Sequence, residues 1–292
     1  MRSFEDYNPI TSAVYIGATA GIAMFCQNPI LLALSLFGAI LYFELRRGKG
    51  DKWGYLWTFL LFLALTLINP LTSHNGATVL FVLNDNPVTA EATVFGAVSA
   101  TMVLAVLYWF RTFTRMMTSD RLLYLFGLLS PKLALTLSMA IRYVPMLGRQ
   151  ARRIERTQTA LGLYKEDNVL DRIRGGLRVF SVLVTWALEG GIVTADSMEA
   201  RGYGIGRRTH FSDFRFRRGD ACLLFLILLL GGVCITSMAL GALDVAFYPR
   251  IIWADFNGIA LMGYLSYAAL VMLPTFLEME ERVRWSCLQS KI

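Results

Sequence analysis

Long apolar stretches alternate with short polar ones along this chain, and each apolar stretch approaches the length that a membrane-spanning helix needs. The hydrocarbon core of a bilayer is about 30 Å thick, so a crossing helix contains roughly 20 apolar residues. Residues 10–45 hold two such stretches, separated at Gln27-Asn28-Pro29, where a tight hairpin is expected. With them, the pattern predicts six spans, the others at residues 53–68, 89–113, 221–247 and 251–273.

Between the fourth and fifth spans the apolar positions recur every three to four residues, which is typical of amphipathic helices. One helix is predicted from Lys132 to Gly162, with a kink at Pro145. Gly190-Gly191 is expected to separate a second helix from a third, which ends at Gly202, because glycine readily adopts the left-handed conformation that ends a helix. The apolar side of the second helix is expected to pack within the chain: Leu170, Ile173, Leu177, Phe180, Val184 and Leu188.

Composition agrees with a membrane protein, since 55% of the residues are hydrophobic and only 17% are charged. Soluble domains contain about 25% charged residues. The net charge of +7 could indicate nucleic-acid binding, but residues 142–218 contain 15 of the 28 lysines and arginines, against 8 acidic residues. Basic residues concentrated between apolar spans mark the cytoplasmic side of an inner membrane. The charge therefore indicates a membrane topology, and no nucleic-acid partner is predicted.

The placement of basic segments in the cytoplasm also predicts whether residues 122–141 cross the membrane. The flanking segments, 111–121 and 142–218, are both basic, so both are expected in the cytoplasm. A single crossing between them would place one basic segment outside the cell. Because Ser130-Pro131 also interrupts this apolar stretch, we interpret it as a re-entrant or interfacial hairpin that does not cross the membrane.

The sequence thus predicts an all-α integral membrane protein with about six transmembrane helices and a cytoplasmic set of three amphipathic helices. It is expected in the inner or plasma membrane of a prokaryote, with both termini cytoplasmic. Residues 69–87 are predicted to form an external connection that contains a short apolar piece. Three regions follow: a four-span bundle at 1–121, the hairpin and cytoplasmic helices at 122–218, and a two-span hairpin with a charged tail at 219–292.

No pattern for catalysis, a cofactor or a metal is present in the sequence. The four cysteines include no CxxC pair and are interpreted as buried free thiols, and His74 has no second ligand at metal-binding spacing. There is no phosphate-binding loop and no nucleophile beside a base. Ionisable side chains between residues 10 and 110 stand only at loops and span ends, whereas ion carriers usually bury such groups in the membrane. A non-catalytic subunit of a larger assembly is therefore predicted.

Two other classes of function stay open at this stage. An integral-membrane enzyme would have to gather its polar residues from Asn69, His74, Asp85 and Asp244, which show no motif spacing. A stand-alone carrier would need charged or broken helices in the middle of the membrane.

Two short triplets, forty residues apart, mark the ends of amphipathic helices: Ala160-Leu161-Gly162 and Ala200-Arg201-Gly202. Around the second, the chain reads Ser-Met-Glu-Ala-Arg-Gly-Tyr-Gly and then Gly-Arg-Arg-Thr. This resembles the signature of the transmembrane T component of energy-coupling-factor (ECF) transporters, the CbiQ/EcfT-like family that includes the membrane subunit of cobalt and nickel importers. Three other stretches agree in order: Asn69-Pro70-Leu71 with His74-Asn75-Gly76, Asn86-Pro87, and Arg142-Tyr143-Val144-Pro145.

The resemblance implies a scaffold for ATP-driven import of a micronutrient, a vitamin or a transition metal. Two ABC-type ATPases would bind the cytoplasmic coupling helices, and a membrane-embedded S component would capture the substrate. In that family an arginine at the tip of each of two coupling helices docks on one ATPase. Arg201 matches this position, between Ala200 and Gly202, with Glu199 and Tyr203 as supporting residues. An arginine at a helix C-terminus also interacts favourably with the helix dipole, so a simple end charge is the alternative.

The first triplet departs from the family pattern, because Leu161 stands where arginine is usual. Ala160 and Gly162 keep the small shape of the tip, and Gln158 and Arg156 are its supporting residues. Either the contact at this tip is apolar, or Arg156 or Lys165 supplies the charge.

Overall fold

The computed structural model describes residues 4, 7–46, 52–73, 76–83, 86–163, 169–206, 214, 216–253 and 256–289. Across these ranges the chain forms nine α-helices and two small antiparallel strand pairs, so the predicted all-α class is confirmed. In chain order the elements are α1 (Pro9–Phe25), α2 (Pro29–Arg46), α3 (Lys52–Thr72), β1 (Val79–Leu83), β2 (Asn86–Thr89), α4 (Ala90–Met116), α5 (Ser119–Leu129), α6 (Pro131–Ala160), α7 (Val169–Ala200), α8 (Arg218–Ala239), β3 (Val245–Ala246), β4 (Ile252–Trp253) and α9 (Gly258–Gln289).

The helices belong to two compact units. The first unit joins Met1–Thr118 to Phe214–Ile292, and its core lies among α1, α2, α4, α8 and α9, with α3 packed on α4. The second unit, Ser119–Asp213, contains α5, α6 and α7, with α6 packed against both of the others.

Five helices in the described part of the chain are long and apolar enough to cross a membrane: α3, α4, α7, α8 and α9. The shorter apolar helices α1 and α2 are the two spans predicted within residues 10–45. Their separation at Gln27-Asn28-Pro29 is confirmed, and Asn28 shows why it forms. Its side-chain oxygen accepts a hydrogen bond from Ile30 N at 3.0 Å, while its amide donates to Leu243 O at 3.0 Å and to Tyr264 Oη at 2.6 Å. The turn is thereby tied to the connection between α8 and α9.

The core of the first unit is rich in aromatic side chains. Trp109 of α4 is fully buried, packs edge-to-face on Tyr15 with ring centroids 5.7 Å apart, and donates from Nε1 to Ser35 Oγ at 3.0 Å. Tyr267 of α9 donates to Thr19 O on α1 at 3.2 Å. Polar tips of buried aromatic residues need such partners because no water reaches them. These contacts join α1, α2, α4 and α9 through side chains rather than through backbone ladders.

Small residues allow the closest helix approaches, as is usual where helices pack in a bilayer. Gly96 of α4 faces the α3 backbone, and a Cβ there would lie 2.6 Å from Thr66 O and 3.0 Å from Asn69 Cβ. Gly17 of α1 differs, because an added Cβ would meet no atom within 4 Å.

Gly96→Ala is therefore expected to destabilise the protein by about 1–3 kcal/mol, the usual cost of overpacking, since the backbone of α3 has to move. Gly17→Ala is the matched control. It is expected to be neutral or slightly stabilising, because alanine favours a helix by up to about 1 kcal/mol over glycine. Thermal unfolding of the two purified variants in the same detergent measures the difference. Equal melting temperatures would contradict the close approach at Gly96.

The α3–α4 and α8–α9 connections differ from the sequence expectation. Residues 69–87 were expected to form an external connection, but α3 continues to Thr72 and the short apolar piece forms the β1–β2 hairpin. The fifth span, predicted to reach residue 247, ends at Ala239, and Gly241 follows in the left-handed region with φ +71°. The sixth begins later than predicted and runs through the charged tail to Gln289 as α9. Valines and isoleucines, which favour strands, account for both hairpins.

The second unit confirms the predicted break at Ser130-Pro131, where α5 ends and α6 begins. It also confirms a helix from the start of α6 to Ala160 that includes Pro145. The predicted separation at Gly190-Gly191 is wrong, because α7 is one helix from Val169 to Ala200. Tyr143 of α6 explains this continuity. Its hydroxyl lies 2.9 Å from Thr194 Oγ1 and donates to Gly190 O at 3.4 Å, so α7 is held at the glycine pair and in the turn that follows it.

Candidate functional site

The two predicted tips share one backbone geometry. At the end of α6, Leu161 N, Gly162 N and Leu163 N donate to Thr157 O, Thr159 O and Gln158 O at 3.1, 3.0 and 2.9 Å. At the end of α7, Arg201 N, Gly202 N and Tyr203 N donate to Ser197 O, Glu199 O and Met198 O at 3.3, 2.8 and 3.0 Å. In each set the three N–H groups donate to carbonyls four, three and five residues earlier in the chain, which is the Schellman pattern of helix termination.

Glycine makes this pattern possible at both ends. Gly162 and Gly202 lie in the left-handed region, with φ +70° and +76°, which costs other residues energy because of their Cβ. The predicted stops at both glycines are confirmed. The turn exposes the residue before each glycine, so that Leu161 is 68% exposed and Arg201 is also exposed.

The tips differ in chemistry although their backbones agree. Arg201 forms no ion pair or side-chain hydrogen bond within the described residues, so its guanidinium is available to a partner. Leu161 offers an exposed apolar side chain at the equivalent position. Ala160 and Ala200 precede them and keep the tips narrow.

The tips lie at opposite ends of the antiparallel α6–α7 pair. Arg178 of α7 donates from Nη1 to Leu163 O beside the α6 tip at 3.2 Å, while Tyr143, near the other end, contacts Thr194. Arg201 is 23 residues beyond Arg178, and a helix rises 1.5 Å per residue, so the tips are about 35 Å apart.

The supporting residues divide into exposed and buried ones. Arg156, Glu199 and Tyr203 are exposed. Gln158 is 7% exposed, and its Oε1 has no hydrogen-bond partner among the described residues. Lys165, the other cation considered for this tip, lies outside the described residues.

The apolar side of α7 was expected to pack within the chain, and this prediction is wrong. The buried residues of α7 are Gly175 and Val179, and all six predicted packing residues except Val184 are more than half exposed. Helix α6 does not cover them, so this side of α7 presents a continuous apolar surface. Sequence periodicity identified the residues but could not show that no described residue of the second unit covers them.

Reactive groups do not converge in the part of the chain that the structure describes. No group of three or more His, Cys, Asp or Glu side chains lies close enough there to hold a metal ion. The cysteines are free, as predicted, but only Cys26 and Cys234 are buried; Cys222 and Cys287 are exposed because they lie on outward sides of α8 and α9. Of the residues considered for an enzyme, Asn69 and Asp244 are described, whereas His74 and Asp85 lie outside the described residues.

Comparison with known families agrees with the motifs at the tips. A profile of the CbiQ family, described as cobalt transport protein, matches residues 2–211, more than two thirds of the chain. The chain belongs to the CbiQ family. The resemblance inferred from four ordered sequence stretches is thereby confirmed, and the matched range includes both tips. As a family member with several long apolar helices, the chain is a multi-pass membrane protein.

Individual relatives carry a more specific name, energy-coupling factor transporter transmembrane protein EcfT. The Listeria innocua protein is 35% identical over 104 residues, which are 35% of this chain and 39% of that protein. The Thermotoga maritima protein is 26% identical over 214 residues, 70% of this chain and 73% of that protein. The Streptococcus thermophilus protein is 30% identical over 111 residues, 37% of this chain and 42% of that protein. The chain thus spans about two fifths of the length of the Listeria relative.

Proposed function

We propose that this CbiQ-family chain is the transmembrane T component of an ECF-type importer, a scaffold that transmits the movements of two ATPases to a substrate-binding S component. The observation that carries the proposal is the pair of tips with one shared backbone geometry, repeated forty residues apart. A repeated tip is what two equivalent partners require, and ABC-type ATPases work as pairs. The names of the relatives support the same assembly.

The chemistry of each tip then assigns its mode of docking. Arg201 is placed to donate a charge-assisted hydrogen bond to an acidic residue of one ATPase, and such bonds are about twice as strong as neutral ones. Leu161 is placed to enter an apolar depression of the other ATPase, or to pack against the neighbouring coupling helix. The separation of about 35 Å allows each tip to reach a different subunit.

The exposed apolar side of α7 gives the S component a place to bind. That surface would face the bilayer or a membrane-embedded protein, since a large exposed apolar patch in water would favour aggregation. A scaffold of this kind would connect the ATPases at the tips of α6 and α7 with the S component along α7. The nutrient would be chosen by the S component, with a vitamin or a transition metal as the substrate class.

The topology is part of the proposal. We place both termini and residues 142–218 on the cytoplasmic side, with α7 at the membrane surface and residues 122–141 not crossing the membrane, although α7 is by itself long and apolar enough to span. In a cysteine-free background, a cysteine at exposed Asp120 is expected to react with a permeant maleimide but not with an impermeant one added outside the cell. Labelling of position 120 from outside would contradict the topology.

The functional experiment compares the chain alone with the chain in its complex. Purified alone, it is expected to hydrolyse no ATP, because the sequence contains no phosphate-binding loop; turnover is expected only when ATPase subunits co-purify with it. Uptake by vesicles is expected to need the same partners. ATP turnover or substrate uptake by the isolated chain would contradict the proposal and favour an enzyme or a stand-alone carrier.

A further inference from the structure

A groove runs between α3 and α4 in the first unit. Its volume is about 370 Å³, and its lining is apolar apart from Thr58, Thr114, the Tyr108 hydroxyl and Arg111. Both threonine hydroxyls donate to carbonyls of their own helices, Thr58 to Gly54 O at 2.8 Å and Thr114 to Phe110 O at 2.9 Å. Arg111 is therefore the strong donor that the groove offers to a ligand.

A second arginine lies beside it. The guanidinium carbons of Arg111 and Arg115 lie 4.8 and 4.3 Å from the centre of the buried Phe43 ring. Attraction between cations and the ring face holds both side chains in place. Neither arginine forms an ion pair in the described part of the chain, so two like charges share one ring there without a described acidic partner. An anion at this point would relieve their repulsion.

The level of the groove relative to the membrane identifies the environment of that anion. The arginines are on the last turns of α4, and Trp53 and Trp57 are exposed on the first turns of α3, at the same end of the antiparallel pair. Exposed tryptophans and arginines at the ends of spans mark the headgroup level of a membrane. Apolar groups continue from there along the groove, with Leu61, Leu107 and Phe110 partly or well exposed.

We propose that this groove binds one anionic glycerophospholipid, with its phosphate between Arg111 and Arg115 and an acyl chain along α3 and α4. The charge at one end and the apolar lining beyond it match the two parts of such a lipid. An apolar helix of a partner protein would fill the groove but would leave both guanidinium groups uncompensated. The proposal concerns the membrane-embedded unit alone and does not depend on the ATPase partners.

Lipid retention by the purified chain tests this directly. Native mass spectrometry is carried out with added phosphatidylglycerol or phosphatidylcholine. The parent is expected to retain one phosphatidylglycerol molecule at least fivefold more tightly than phosphatidylcholine, since one cation near an anionic headgroup raises the affinity about fivefold. The double variant Arg111→Gln, Arg115→Gln is expected to lose that preference while still binding both lipids weakly. Leu107→Trp, which fills the groove, is expected to weaken both. Arg218→Gln, an exposed arginine at the start of α8, is the matched control and is expected to change neither.

Four outcomes would overturn the proposal. A preference for phosphatidylglycerol that persists in the double arginine variant would place the lipid elsewhere. Unchanged binding in Leu107→Trp would show that the acyl chain does not use the groove. If inorganic phosphate competes with phosphatidylglycerol equally well, the groove is a free-anion site. If the chain retains neither lipid and a cross-linker at Leu107 captures a partner protein, the groove is a protein-docking site. Melting temperatures of the variants within a few degrees of the parent exclude unfolding as the cause.

Discussion

Arg201→Glu is expected to weaken assembly with the ATPases more than any other single change at the two tips. In the proposed complex, the Arg201 guanidinium pairs with an acidic residue that the closing interface removes from water. Loss of one side of a buried charged pair costs about 2–5 kcal/mol, because the remaining charge is left unpaired, and the glutamate adds repulsion. Leu161→Ala removes part of an apolar contact and is expected to cost less, about 1–3 kcal/mol.

The comparison requires the intact complex at matched expression. Co-purified ATPase per membrane subunit and coupled uptake are the two readouts. Arg152→Glu is the control, because it reverses an exposed charge of α6 between the tips without touching either. Arg156→Glu tests the alternative that this arginine supplies the charge at the α6 tip; a loss as large as that of Arg201→Glu would establish it. If Leu161→Ala fails while Arg201→Glu behaves like the parent, the assignment of the main anchor is wrong.

Trp109→Ala is expected to cost about 3–5 kcal/mol of folding stability, the range for truncating a large buried aromatic side chain. Trp109 is 0% exposed, and it connects α4 with Tyr15 of α1 and Ser35 of α2. Inside a bilayer the hydrophobic effect contributes little between helices, so lost packing and the cavity dominate the cost. The variant is expected to lose the arrangement of the bundle before it loses its helices.

Trp53→Ala is the matched control, because Trp53 is 69% exposed and the substitution creates no cavity. Trp109→Phe separates the two contributions, since it keeps most of the packing and loses the hydrogen bond to Ser35, worth about 1 kcal/mol. Thermal unfolding is followed by circular dichroism, in which the far-ultraviolet signal reports helix content and the near-ultraviolet signal reports the packing of aromatic side chains. Similar melting temperatures for Trp109→Ala and Trp53→Ala would contradict the central place of Trp109 in the core.

Local signals in the sequence predicted the helix ends of the second unit well. Gly162 and Gly202 were predicted as stops, because a left-handed residue is required where each helix ends, and both have positive φ. Ser130-Pro131 was predicted as a break for a similarly local reason, since proline is favoured at the first position of a helix. The fold class followed from the lengths of the apolar stretches.

Tertiary contacts account for what the sequence did not reveal. Gly190-Gly191 carries a local signal for a break, but the hydrogen bonds of Tyr143 hold α7 together there. The apolar side of α7 has the period of a packed helix, yet none of the described residues of the second unit covers it. Periodicity predicts which side is apolar, and only the arrangement of the other helices shows whether it is covered within the chain.

Site-specific cross-linking at the two tips tests the central claim most directly. A photoreactive amino acid at position 161 or 201, introduced into the intact complex in native membranes, is expected to give one cross-link to an ATPase subunit from each position. The same probe at exposed Arg152, between the tips, is expected to give none. If both tips cross-link only to lipid, or to other parts of this chain, while the ATPases remain bound, the tips are not the coupling sites and the proposed scaffold mechanism is wrong.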